Sequence, residues 1–339
     1  MIRRHRLSAP RATRRQRLRD QQPNAAGQPL QGGRSDAWRN SAHARLSLGR
    51  ATGTSRVVTQ PAPNAIFDAA ARRRRRDRAA AGDYPAHAFL REVMVEGLLE
   101  RLGAVKRVFA DVLDIGASDT TLVVPGARVA RMDAGFAFAR ASGGVQADED
   151  RLPFADASFD AVLSAGVLDQ VNDLPGALSL IRRTLRPDGV FLGAFLGAGS
   201  LPALRAAFRA AEGDRPAARL HPQIDVRSAG DLLVRAGLTL PVADGETIDV
   251  RYASFGRLLD DLRGSALGNI LTARTGMTRG TLARTAAAFA EAAGPDGRTT
   301  ERFAIVFVTG WAPDASQPQP ARRGSATASL AAALKQGLA

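Results

Sequence analysis

Regular spacing of apolar side chains begins near residue 83. In "DYPAHAFLREVMVEGLLERLG", Phe89, Leu90, Val93, Met94, Leu98 and Leu102 recur at helical intervals. Asp83 is placed as a cap, Pro85 lies in the first turn and Gly103 follows, which predicts one helix. From there short, nearly continuous apolar runs alternate with amphipathic stretches. "RVFADVLDI", "ARVARMD" and "SFDAVLSAG" read as strands, "LPGALSLIRRTLRPDG" as a helix stopped by Gly189, and "GVFLGAFL" as another buried strand. "SAGDLLVRAGL" predicts a helix, "TIDVRYAS" and "RFAIVFVTGW" predict strands, and helices are expected at 255–264 and 278–293. Strands that are apolar on both faces and separated by helices imply an α/β fold, a Rossmann-like, doubly wound, mostly parallel sheet. The last strand follows no simple crossover, which suits an antiparallel C-terminal edge strand.

The same patterning sets the domain limits. Residues 1–62 are rich in Arg, Ala, Ser, Gln, Gly and Pro, lack any period and hold two acids. They are expected to be a disordered basic extension. Residues 63–312 form the predicted folded domain, and 313–339, Pro- and Ser-rich at their start, a loose tail. The formal net charge of +14 is unevenly spread: residues 1–80 carry 19 Arg against four Asp, so the rest of the chain is close to neutral. The Arg72–Arg76 run has no interleaved aromatics and reads as a solvated helix face, so nucleic acid is not expected as a main partner. There is no Cys, and the four His include two in the basic leader, so disulfides, thiolate sites and a metal centre are not expected. No apolar run approaches the roughly 20 residues of a membrane span.

In an open doubly wound sheet, ligands lie beyond the carboxyl ends of the strands, where the strand order reverses. Four stretches fall at such ends: Asp114 to Gly116, Asp133, Asp148 with Glu149, and Ser164 to Gly166. Each acid alone reads as a cap or a solvated turn. Together they suit one ligand, with Asp133 near the spacing at which an acid meets ribose hydroxyls.

The stretch "ADEDRLPFADASFDAVLSAGVLDQVNDLPGALSLIRRTLRPDGVFLGAF" resembles the centre of class I S-adenosylmethionine (SAM) dependent methyltransferases. Within them it is most similar to bacterial and mitochondrial relatives of NADH:ubiquinone oxidoreductase (complex I) assembly factor 5, with the carrier-protein methyltransferase of the biotin pathway more distant. "IFDAAARRRRRDRAA", "SAGDLLVRAGL" and "TGWAPDASQPQPARRGSA" resemble the bacterial branch, and the likeness covers residues 65–326. The resemblance implies SAM as cofactor. It implies that Asp114 and Gly116, with Ala117 and Ser118, border the methionine end, that Asp133 takes the ribose, that Asp148 and Glu149 meet the adenine, and that Ser164 and Ala165 floor the pocket. It names no catalytic residue.

This chain departs from the family pattern in one neighbourhood. Where the family loop has three alternating glycines, Gly116 is followed by Ala117, Ser118, Asp119 and Thr120. Thr resists the close backbone approach that glycine allows, and Asp119 sets a negative charge where the SAM carboxylate wants donors. The helix after this loop has room for about two turns before Pro125 and Gly126. The family's His-Trp pair is replaced by Asp169-Gln170. Three readings follow: a SAM-dependent methyltransferase whose acceptor the sequence does not name, an arginine-modifying assembly factor, and an assembly chaperone that has lost the glycine loop. The implied partner is a respiratory complex I subunit. Scarce Lys and the bacterial-type tail favour the cytoplasm over the mitochondrial matrix.

Overall fold

The computed structural model describes residues 65–214 and 216–318; the basic extension expected over 1–62 and the tail from 319 onward lie outside them. The described chain starts with helix α1 (Ala69–Ala81). Asp68 caps it by accepting from the Ala71 amide, and its Ala and Arg residues favour the helical state. The helix expected from residue 83 is two, α2 (Tyr84–His87) and α3 (Phe89–Gly103), broken at Ala88. His87 causes the break to persist, because its Nδ1 pairs with Asp261 at 2.8 Å and its ring rests on the bare backbone of Gly264.

Strands β1 (Asp111–Ile115), β2 (Arg128–Asp133), β3 (Val145–Gln146), β4 (Phe159–Ala165) and β5 (Leu185–Leu196) are parallel. Helices α4 (Phe136–Ala141) and α5 (Leu174–Thr184) connect β2 to β3 and β4 to β5, with a short 3-10 turn (Leu168–Gln170) after β4. Beyond β5 come α6 (Pro202–Glu212), α7 (Val226–Arg235), β6 (Thr239–Tyr252), α8 (Phe255–Gly264), α9 (Arg279–Glu291) and β7 (Thr299–Trp311). The sheet order is β3-β2-β1-β4-β5-β7-β6, with β7 antiparallel to both neighbours. The reversal of strand order falls between β1 and β4. Among the described residues no helix is long and apolar enough to cross a membrane.

The two-turn helix expected after Gly116 does not form. The Asp119 carboxylate accepts from the Thr121 amide and hydroxyl, a local turn that competes with helical bonding, and the chain then runs irregularly with Leu122 and Val124 buried. The core lies on both faces of the sheet, around Leu98, Phe289, Phe303 and Phe307 on one side and Leu113, Ile115, Ile181 and Phe191 on the other. Each such side chain contributes about 1.5–3 kcal/mol by burial.

The start of α1 is stapled to two distant segments. The Phe67 amide donates to Asn172 Oδ1 at 2.8 Å, and Asn172 Nδ2 donates back to the Phe67 carbonyl at 3.0 Å. Asp68 N donates to Ile270 O, and Thr272 N donates to Ile66 O. At the other end of the described chain, Gln317 is buried and its amide donates to Asp188 Oδ1 and Ala312 O.

Candidate functional site

Parallel pairing brings the candidate residues to one rim. Ile115 lies beside Met132 of β2 and Ser164 of β4, and Asp133 lies beside Gln146 of β3. Asp114, Ala117, Ser118, Asp133, Glu149, Ser164 and Ala165 are all buried there. Gly116 keeps its special role: φ is +83°, and a Cβ would sit 2.7 Å from Val167 Cγ1, so only glycine fits.

Arginines hold the acids of this rim, of which Asp114, Asp133 and Glu149 are fully buried. Arg76 of α1 grips Asp133 with two bonds, Nε to Oδ1 at 2.7 Å and Nη2 to Oδ2, while Gly135 N donates to Oδ1 at 2.6 Å. Arg72 is bidentate on Glu149, at 2.5 and 2.8 Å, and reaches the Val167 carbonyl at 3.4 Å. Arg73 pairs with Asp148. Arg91 of α3 approaches Asp114 and Asp119 at 3.4 and 3.3 Å. Arg76 also stacks 5.0 Å over the Phe138 ring. The expectation of a solvated arginine face is therefore corrected: Arg72 and Arg76 are about 5% exposed, and long-range charge pairing turns them inward.

Burial and pairing pull these carboxyls in opposite directions. Burial alone would raise Glu149, but Arg72 brings it below the ordinary carboxylate value. Burial pushes Asp114 up to about 6, with Arg91 and Arg131 opposing. Asp169, in the 3-10 turn, forms no ion pair among the described residues and is pushed up to about 7 by burial, with Arg72 and Arg76 opposing.

Sequence reasoning missed Arg72 and Arg76 as site residues. The usable signal was their i, i+4 spacing on a helix opposite a group of acids that a buried rim cannot leave unpaired. It also missed Asp169 as a buried acid with an unpartnered Oδ1.

Comparison with known proteins places this geometry. Residues 104–193 match the methyltransferase domain family. The chain is 33% identical over 290 residues to the zebrafish (Danio rerio) protein named arginine-hydroxylase NDUFAF5, mitochondrial, covering 80% of this chain and 90% of that one. It is 32% identical over 280 residues to the malonyl-[acyl-carrier protein] O-methyltransferase of Methylovorus sp., covering 75% and 93%. The chain belongs to the class I SAM-dependent methyltransferases. Within that family it is related to NDUFAF5. The human NDUFAF5 is 38% identical over 191 residues, 55% of each chain. A putative methyltransferase from Bacillus halodurans of known structure aligns with a TM-score of 0.45 at 14% identity, covering 65% of this chain and 99% of that one.

SAM is the cofactor of this methyltransferase family, and the residues present fit it. Gly116 keeps the close turn, Asp114 Oδ1 and Ser164 Oγ are buried without partners, and acids stand at the ends of β1 and β2 and after β3. The acceptor oxygens of Asp133 and Glu149, however, are already engaged by guanidinium groups. Open space of about 620 Å³ borders the loop end of the rim, beside Tyr84, Arg91, Ser118 and Asp119.

Proposed function

We propose that this protein holds SAM along the strand ends and methylates an acceptor, with α1 withdrawing its arginines as the nucleoside enters. The observation that supports this most is the convergence of the acids of β1 and β2, the pair after β3 and the floor of β4 on one buried rim. Asp114, Gly116, Ala117 and Ser118 would border the methionine end. Asp133 would accept from the ribose hydroxyls, Asp148 and Glu149 would meet the adenine, and Ser164 and Ala165 would form the floor. SAM supplies a methyl group already activated by its sulfonium, so the protein's task is alignment and exclusion of water. The chain's own contribution is a dry rim whose carboxylates exchange arginine donors for nucleoside donors, charge-assisted bonds of about 1.5–3 kcal/mol each. That exchange sets SAM affinity, because the arginine bonds must break first.

A second reading is an arginine-modifying complex I assembly factor, or an assembly chaperone without catalysis. It is favoured by the rim's present occupants: Arg72 and Arg76 sit bidentate in carboxylate pairs, so the rim already accommodates guanidinium groups. The mitochondrial relatives' name points the same way. In either reading the partner is a respiratory complex I subunit and the compartment the cytoplasm, with the mitochondrial matrix as the alternative.

Calorimetry with SAM, joined to hydrogen exchange of residues 69–81, separates the readings. Methyl transfer requires SAM to bind and α1 to lose amide protection. No binding, or binding with α1 still fully protected, removes the proposed placement of the nucleoside. Loss of α1 protection with N-acetylarginine amide but not with SAM would favour the second reading.

A further inference from the structure

Helix α1 has another flank. Arg75, three residues after Arg72, faces away from the carboxylates and lines a cavity of about 310 Å³. One wall of the cavity is apolar, built from Leu201, Leu204 and Phe208 at α6 and Leu259 and Leu262 of α8. Four arginines reach its rim; Arg263 is exposed to solvent, and two of the others are already satisfied. Arg219 pairs with Glu212 at 2.6 Å and donates to the Thr275 carbonyl. Arg274 pairs with Asp68 at 2.7 Å and donates to the Leu271 carbonyl.

Arg75 is different. Among the described residues it makes no hydrogen bond or ion pair, although it is half-buried. Its guanidinium lies against the bare backbone of Gly268, where a Cβ would come within 2.4 Å of Nη1. Burial, then the charges of Arg274, Arg78 and Arg74, hold its pKa below the ordinary arginine value. A cation kept partly out of water beside other cations, facing an apolar space, is unfavourable unless an anion completes it.

A second free donor lines the same space. His221 Nε2 accepts from the Ile270 amide at 3.0 Å, so in the neutral ring the proton sits on Nδ1. Burial, with Arg75 and Arg72 nearby, lowers its pKa to about 4, which keeps the ring neutral at pH 7.

We propose that this cavity binds an amphipathic carboxylate, its carboxyl group forked onto Arg75 with His221 Nδ1 as a further donor, and its alkyl or acyl body against the leucine wall. One unpaired, half-buried guanidinium matches a planar monoanion with two parallel bonds. A phosphate dianion is less well matched, because Arg219 and Arg274 are committed, Arg263 is exposed to solvent and Asp169 also lines the space. This inference goes beyond methyl transfer and does not require SAM at the rim.

The test uses the full-length protein without SAM. Octanoate, octanol, octylamine and inorganic phosphate are each titrated by calorimetry at pH 7 into the parent, Arg75→Gln and Arg75→Lys. Octanoate should bind the parent about tenfold or more tighter than octanol, octylamine or phosphate. Arg75→Gln should remove that advantage, and Arg75→Lys, which keeps the charge but not the fork, should retain part of it. Arg75→Gln breaks no hydrogen bond or ion pair among the described residues, and its melting temperature checks that the fold survives. The proposal is overturned if octanoate does not bind, if any of the other three binds as tightly, or if Arg75→Gln leaves octanoate affinity unchanged. SAM titration at the rim is a separate measurement, so failure of one assignment is distinguishable from failure of the other.

Discussion

The two flanks of α1 solve the same electrostatic problem differently. Towards the strand ends, Arg72, Arg73 and Arg76, helped by Arg91, each meet an acid, and most of the rim's charge is balanced from within. Towards the cavity, Arg75 forms no ion pair among the described residues, and the nearby Asp169 has a buried Oδ1 without a hydrogen-bond partner. The lesson is that internal pairing hides a binding site, whereas missing pairing advertises one. A cofactor must displace something to enter the rim; a ligand entering the cavity displaces nothing but water.

The sharpest way to break this comparison is Arg76→Ala. It strands the fully buried Asp133 and should cost about 3–5 kcal/mol in urea unfolding, with much of the loss recovered in the double variant carrying Asp133→Asn. A cost under about 1 kcal/mol would mean the rim does not depend on its own arginines. Next in size is Asp169→Asn. The folded pKa of Asp169 is about 7, above its ordinary value of 3.8, so between about pH 4 and 7 the folded state holds a proton that the unfolded chain has released. Stability should therefore fall as pH rises through that window. Asp169→Asn should flatten the slope, matching the parent near pH 4 and exceeding it by about 1–3 kcal/mol at pH 7.5. Parallel stability curves for parent and variant would show that Asp169 is not held as a buried acid. The smallest effect is expected at Arg75→Gln, within about 0.5 kcal/mol of the parent, since no partner is lost. A drop of several kcal/mol there would reveal a structural role and erase the contrast between the flanks.

Much of the scaffold was legible in the chain, because its elements announce themselves locally. The helix expected at 255–264 is α8 with those limits, and the strand read from "SFDAVLSAG" is β4 to within one residue at each end. Asp114, Asp133, Asp148 and Glu149 could be placed on one rim, since a parallel sheet sends every strand end the same way. What was not legible depends on pairing across distance. Arg72 and Glu149 are 77 positions apart, and nothing near "ARRRRRDRAA" tells a solvated basic helix from one plugged into acids. The loop after Gly116 was misread for the opposite reason: a side-chain turn at Asp119 overrode the helix that the fold family leads one to expect. Helix α6 did carry a local signal, Leu204, Ala207, Phe208 and Ala211 at helical spacing, yet it was not among the expected elements.

The staple at Phe67 limits how this protein can open. The chain is fixed to Asn172 and Ile270 immediately before the first turn, and the far end of α1 is tied as well, Asp77 Oδ1 accepting from the Ala137 amide at 2.8 Å. Withdrawing the arginines therefore means breaking one of these moorings, not sliding the helix out.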